Sequence, residues 1–215
     1  EYISIFEIMN TIGILGCGWL GIALGEVLKK KEYTVRGTRR GKEGIRLLKK
    51  KGIAAFQMDV FPDKITGDFS FFDGIDTLII SIPPDRKNSS SSFVQKITTV
   101  LNMVRSSSIN RILFLSSTSV YGNSAGIFNE YTVPNPQTTS AKALYEVEQK
   151  LLNFQVPKLI IRLGGLVGED RNPFVYLQDK KISNPNGCIN FIHQIDAVNG
   201  ISALLNHFEN EGIYN

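Results

Sequence analysis

The residues of this chain best suited to chemistry are Gly16-Cys17-Gly18-Trp19-Leu20-Gly21. They spell G-x-G-x-x-G directly after an apolar run, TIGILG at 11–16, and open a segment with apolar residues at Leu20, Ala23, Leu24, Val27 and Leu28. That is a strand, a tight turn and an amphipathic helix, the context in which the motif holds a dinucleotide. Gly16 permits the turn, Gly18 offers no side chain to hold a diphosphate away, and Gly21 lets the helix pack close to the sheet. Free N–H groups at the helix start then face the phosphates. The plainer reading is a tight strand-to-helix turn with no ligand.

About 20 residues further on, dinucleotide sites that take NAD carry a carboxylate for the ribose 2′-OH. Here the second strand ends Val35-Arg36-Gly37-Thr38-Arg39-Arg40, with no acid. Thr38, Arg39 and Arg40 can hydrogen-bond and pair with a 2′-phosphate, so the expected cofactor is NADP, with NAD as the alternative. Solvated charges at a helix entry are the other reading of the arginines. Asp59, closing the third strand, is placed to meet an adenine edge or to cap a turn.

These residues need a scaffold, and the chain alternates strand-like and helix-like segments. Strands are expected at 11–16, 33–38, 53–58, 76–82, 111–117, 158–163 and, just beginning, 212–215; helices at 19–31, 42–51, 93–106, 139–154 and 194–208. DTLIISI at 76–82 is an almost unbroken apolar run stopped by Pro83-Pro84, the mark of a strand buried on both faces. DRKNSSSS at 85–92 reads as a polar loop. The alternation specifies an α/β fold, a Rossmann-type doubly wound parallel sheet. Its ligands belong at the carboxyl ends of the strands.

Composition narrows the classes. The chain has 215 residues, 42% hydrophobic and 20% charged, which suits one soluble domain. No run approaches the roughly 20 apolar residues of a membrane span, and EYISIFEI at 1–8 lacks the features of a secretory signal. Residues 1–8 are read as an extension ahead of Met9, and 9–215 as the domain. Cys17 and Cys188 stand in no metal-ligand or disulfide pattern, so a cytoplasmic location is expected and no metal. The net charge of +4 comes partly from Lys29-Lys30-Lys31 and Lys49-Lys50-Lys51, cations at helix ends that complement the dipole. Neither a helix-turn-helix nor an RNA-binding aromatic pattern accompanies them, so nucleic acid is not an expected partner.

Ser116-Ser117-Thr118-Ser119-Val120-Tyr121-Gly122, then Glu130, Pro136, Arg162-Leu163-Gly164-Gly165-Leu166-Val167-Gly168, Asn190 to Asp196 and Gly212-Ile213-Tyr214-Asn215 follow in order. With the glycine loop they make residues 10–215 resemble the extended short-chain dehydrogenase/reductases, in the nucleotide-sugar epimerase/dehydratase group. The wording GCGWLG, SSTSVYG and RLGGLVG is that of an atypical bacterial branch without an assigned substrate. The resemblance implies NAD(P), a sugar nucleotide or similar small molecule as substrate, and Ser117 as the group that polarises a substrate oxygen. It places Ser81-Ile82-Pro83 beside the cofactor ribose, although proline termination of the strand explains them too. It implies partial substrate-site loops at 164–193, with the rest of the substrate region absent or truncated. Helices 93–106 and 139–154 correspond to the pair that forms a four-helix homodimer interface in that family, and their apolar outer faces would need a partner, so a homodimer is expected.

The family's general acid/base is a Tyr-x-x-x-Lys pair, whose i, i+4 spacing puts both side chains on one helical face. Lys142 fits the lysine, and it would hold the cofactor ribose unless it is simply a solvated helix lysine. Thr138 stands where the tyrosine belongs, and a threonine hydroxyl is far too weak an acid to replace a phenol. Tyr121, Tyr131 and Tyr145 are nearby, with packing as their commonest role. His193 and Asp196 read as a helix cap and anchor. Asp170 and Arg171 follow a glycine loop and are candidates to face substrate. Two functions therefore remain open: an NADP-dependent oxidoreductase or epimerase, or a catalytically impaired dinucleotide-binding module. A structural domain with no ligand is a distant third.

Overall fold

A computed structural model of the chain describes residues 11–84, 90–123, 126–178 and 188–215. The expected extension at 1–8 and most of the polar loop at 85–92 fall outside these residues, as does part of the 164–193 stretch.

Strands β1 (Thr11–Leu15), β2 (Thr34–Arg39), β3 (Ala54–Val60), β4 (Ile65–Gly67), β5 (Thr77–Ile80), β6 (Arg111–Ser117), β7 (Lys158–Leu163) and β10 (Gly212–Tyr214) form one eight-stranded sheet in the order β10-β7-β6-β5-β1-β2-β3-β4. All neighbours pair in parallel except β3 and β4, which are antiparallel. A separate parallel pair joins β8 (Gly165–Val167) and β9 (Phe191–His193). The chain runs outward from β1 through β2 to β3, then returns to the other side of β1 at β5. The crevice opened by that reversal, above the carboxyl ends of β1 and β5, is the ligand position of a doubly wound sheet.

Alternating strand residues feed two apolar layers. Leu78, Ile80, Ile112, Phe114 and Ile160 face α3 (Ser90–Arg105) and α4 (Thr139–Leu152). Ile12, Ile14, Ile79, Leu113, Leu159 and Ile161 face α1 (Trp19–Lys30), α2 (Lys42–Lys50) and α6 (Gln194–Leu204). Each fully buried aliphatic side chain contributes about 1.5–3 kcal/mol. A short α5 (Pro173–Leu177) lies between β8 and β9, capped by Asn172, whose carboxamide oxygen accepts from the Phe174 N–H at 2.9 Å.

The elements match the sequence expectations with shifted ends. Helix α3 begins three residues earlier than expected, and α6 stops at Leu204 instead of 208, before a 3-10 turn at Phe208–Asn210. Strand β4 and the 3-10 turn at Phe69–Phe72 were not anticipated. Phe93, Val94, Ile97, Val100, Leu101 and Val104 of α3 pack into the chain's own core. Outside it, Val94, Gln95 and Asn102 of α3, with Glu146 and Lys150 of α4, line a groove of mixed polar and apolar character.

Among these layers one polar cluster is deeply buried. Arg162 and Glu148 are 1% and 0% exposed. Arg162 Nη2 donates to Glu148 Oε2 at 2.7 Å and its Nε to both carboxylate oxygens at 3.2 Å. Ser116 Oγ donates to Glu148 Oε1 at 2.5 Å. Arg162 Nη1 donates to the Tyr121 hydroxyl at 2.8 Å. That hydroxyl lies 2.8 Å from the Asn129 carbonyl and 2.9 Å from the Asn215 side chain. Both are acceptors, the Asn129 carbonyl and Asn215 Oδ1, and they share the single phenol proton. Burial pushes the Arg162 guanidinium toward its neutral form, but the hydrogen bond and charge of Glu148, with Tyr121, more than offset it and leave its pKa raised. Tyr121 is thereby a structural phenol, packed face to face with Phe128 at 5.3 Å.

Removing one partner strands a buried charge. Glu148→Ala should lower stability by about 3–5 kcal/mol, read as a fall in the urea midpoint, while replacing Glu148 and Arg162 together by Met should recover much of it.

Candidate cofactor site at the strand ends

Gly16 sits at φ +82°, a conformation open to glycine at little cost. A Cβ there would stand 3.0 Å from Ile82 Cγ1 and 3.2 Å from the Ile82 nitrogen and the Ser81 carbonyl carbon. The glycine loop and the end of β5 therefore touch backbone to backbone, and Ser81 N–H donates to Leu15 O at 2.9 Å to keep them so. Thr38 holds the loop from the other side. Its Oγ1 accepts from the Gly16 N–H at 2.9 Å and its carbonyl from the Cys17 N–H at 3.0 Å. At 2% exposed, Thr38 is a peg beneath the loop. The expectation that it meets a phosphate is replaced by this positioning role, because its side chain is enclosed and its oxygen already engaged.

Helix α1 begins at Trp19 with Gly18 as its N-cap, no side-chain cap and no acid in the first turn. Its first bond runs from Ile22 N–H to Gly18 O at 2.8 Å. The N–H groups of Trp19, Leu20 and Gly21 are those a helix start leaves without an intrahelical acceptor. Their partial positive charge, with nothing acidic beside it, suits a diphosphate. Leu20 itself points inward and is buried.

Arg39 leans across this opening. A Cβ on Gly18 would lie 3.4 Å from Arg39 Nη1, and a Cβ on Gly44 would collide with Arg39 Nε. Two glycines thus clear a lane that brings the guanidinium from β2 over the start of α2 to the loop. Arg40 is exposed, its carbonyl accepting from Gln57 Nε2 at 3.2 Å. Cys17 is enclosed beneath; burial pushes its thiol up to about 12, against the smaller lowering by the Arg39 charge. Asp59 is half-buried at the end of β3, with Oδ1 accepting from the Val60 N–H at 2.9 Å.

Across the crevice, Ser117 closes β6 and caps a 3-10 turn, its Oγ accepting from the Ser119 N–H at 3.1 Å. Thr118 Oγ1 accepts from Asn190 Nδ2 at 3.1 Å, which ties this turn to the loop before β9. Thr138 is the N-cap of α4, its Oγ1 accepting from the Ala141 N–H at 3.1 Å. Lys142 is exposed one turn on, its backbone N–H donating to the Thr138 carbonyl at 2.9 Å. His193 caps α6, its Nδ1 accepting from the Ile195 N–H at 3.3 Å, and Asp196 lies in that helix's first turn.

One contact was invisible in the sequence. Trp19 Nε1 donates to Asp170 Oδ1 at 2.6 Å, and Gln194 Nε2 donates to the Trp19 carbonyl at 3.2 Å. A Cβ on Gly168 would meet the indole at 2.8 Å. The only signals were a tryptophan inside a glycine loop and a Gly-x-Asp-Arg turn 150 residues later. Clefts of about 250 Å³ at the amino ends of the strands and of about 470 and 360 Å³ along α3 and α4 lie away from this crevice. Among the described residues no group of His, Cys, Asp or Glu is arranged to hold a metal, and no helix is long and apolar enough to cross a membrane.

Comparison with known proteins gives the context. Residues 12–215 match the family described as NAD dependent epimerase/dehydratase. Protein YeeZ of Escherichia coli K12 is 31% identical over 211 residues, covering 96% of this chain and 77% of that protein. A conserved protein of unknown function from Silicibacter pomeroyi has a similar structure, with TM-score 0.74, 22% identity and coverage of 96% and 71%. So has UDP-glucuronic acid 4-epimerase from Bacillus cereus, solved with UDP-glucuronic acid and NAD, with TM-score 0.77, 19% identity and coverage of 94% and 76%.

The two free cysteines should separate cleanly. In the folded protein at pH 8, Cys188, which is exposed, reacts with a thiol reagent and Cys17 does not; in denaturant both react. Two fast-reacting thiols in the native protein would contradict the burial of Cys17.

Proposed function

We propose that this chain, which belongs to the NAD dependent epimerase/dehydratase family, is an NADP-dependent oxidoreductase or epimerase acting on a sugar nucleotide or similar small molecule. The observation that carries the cofactor reading is Arg39, laid against Gly18 at the end of a strand that offers no carboxylate. A carboxylate there would repel a 2′-phosphate; a guanidinium pairs with it. Gly16 to Gly21 would take the diphosphate, Arg39 and Arg40 the 2′-phosphate, Asp59 the adenine edge, and Ser81, Ile82 and Pro83 the second ribose. The fit rests on the open helix start and on the backbone contact at Gly16. When bound, the nicotinamide supplies a hydride donor or acceptor.

The chain's own contribution to a reaction centres on Ser117. A hydroxyl has one proton and two lone pairs. Ser119 N–H occupies a lone pair of Ser117, which fixes the oxygen and leaves its proton to donate to a substrate oxygen. The sugar nucleotide is suggested by epimerases of similar structure solved with UDP-glucuronic acid or with UDP.

A second reading, a dinucleotide-binding module without turnover, is favoured by one observation. Thr138, where the tyrosine of a Tyr-x-x-x-Lys pair would stand, spends its hydroxyl on capping α4, so Lys142 has no phenol four residues before it.

NADPH should bind at least tenfold tighter than NADH in a direct titration, and Arg39→Ala should erase most of that preference, more so at low salt. Tighter binding of NADH sinks the NADP assignment. Incubation with NADP and a panel of UDP-sugars then separates the two readings: any turnover refutes the binding module, and tight binding with none selects it.

A further inference from the structure

We infer that Arg171 is a ligand for the cofactor's diphosphate, supplied from the far side of the crevice and held in place by Trp19. The inference rests on the reading of the glycine loop as a dinucleotide site and adds a contact that the loop's own sequence does not contain.

Trp19 is the first residue of α1, so its backbone is part of the open helix start while its side chain reaches out of it. The indole is fixed on three sides. Its Nε1 donates to Asp170 Oδ1 at 2.6 Å. Its six-membered ring packs on Gly168, where any Cβ would collide at 2.8 Å. The Arg171 guanidinium lies over the ring, 5.2 Å from its centroid. The turn that delivers Arg171 is itself closed: Gly168 N–H donates to Arg171 O at 3.3 Å and Arg171 N–H to Gly168 O at 3.0 Å.

This cation is unspent. Arg171 makes no ion pair among the described residues. Its neighbour Asp170 is turned into the indole. A guanidinium resting on an aromatic face keeps its N–H edge free for a second partner, because the ring takes only its face. An arginine with a free edge, parked on the residue whose backbone opens the anion-receiving helix end, is set to close over a diphosphate lying there. Arg39 approaches the same loop from the opposite side, at Gly18. The two arginines therefore divide the cofactor: Arg39 takes the 2′-phosphate end, Arg171 the diphosphate.

That division makes the test specific. Affinities are measured by calorimetry for ADP-ribose, which has the diphosphate and no 2′-phosphate, for 2′-AMP, which has the reverse, and for UDP. Arg171→Ala should weaken ADP-ribose about tenfold, the size of one charge-assisted contact, with the effect shrinking as salt rises, and leave 2′-AMP unchanged. Arg39→Ala should do the opposite. Arg171→Lys, which keeps the charge and loses the planar fork, should fall between wild type and Arg171→Ala, and it carries the test if the alanine variant proves unstable by its melting temperature. Unchanged ADP-ribose affinity in both Arg171 variants overturns the inference. So does a loss confined to UDP, which would make Arg171 a ligand of the substrate's diphosphate. If the wild-type protein binds neither adenine nucleotide, the dinucleotide reading of the glycine loop fails first and this contact with it.

Discussion

The cofactor half of this protein depends on one close approach, that of the Gly16 backbone to the backbone of Ser81 and Ile82. Chain reversal at β1 opens a crevice, but a crevice becomes a cradle only if its two lips are held at contact distance. Gly16 permits this by lacking a Cβ and by adopting a positive φ. Thr38 secures the same loop from β2 through two hydrogen bonds. With the loop so pinned, the start of α1 is fixed in position, and the three N–H groups ahead of Ile22 face the opening. Arg39 could not reach that opening over a bulkier residue at 44. Each part is small, and none would be useful if the first contact were relaxed.

The other half rests on a different kind of interaction. Arg162 and Glu148 tie β7 to α4, and Tyr121 and Ser116 tie both to the turn that carries Ser117. An ionic pair is a costly way to join buried elements, since desolvation opposes much of the attraction. What it provides here is direction. A hydrophobic contact at these positions would tolerate sliding of α4, whereas a bidentate pair with a shared phenol fixes the helix against the strand and so fixes the backbone next to Ser117.

How legible this was depended on whether a feature is local. The glycine loop, the parallel strands and the absence of an acid after β2 are all short-range patterns, and they stood in the sequence as they stand in the fold. Strand β4 is three residues, Ile65–Gly67, too short to show a period. The Arg162–Glu148 pair joins residues 14 apart on different elements, and Trp19–Asp170 spans most of the chain, so no window could reveal either. Thr138 was legible as a departure from Tyr-x-x-x-Lys, but its use as the N-cap of α4 shows only in the fold.

The order in which the parts occur along the chain has its own consequence. Gly16, Thr38, Arg39, Asp59, Ser81 and Ile82, together with β1, β2, β3 and β5, all lie within the first 82 residues. The Arg162 cluster draws on residues as late as Asn215. Synthesis proceeds from the amino terminus, so the glycine loop and the strands around it are made before β6 and β7. In that interval β5 is a bare, apolar edge awaiting β6, the sort of edge that recruits other chains.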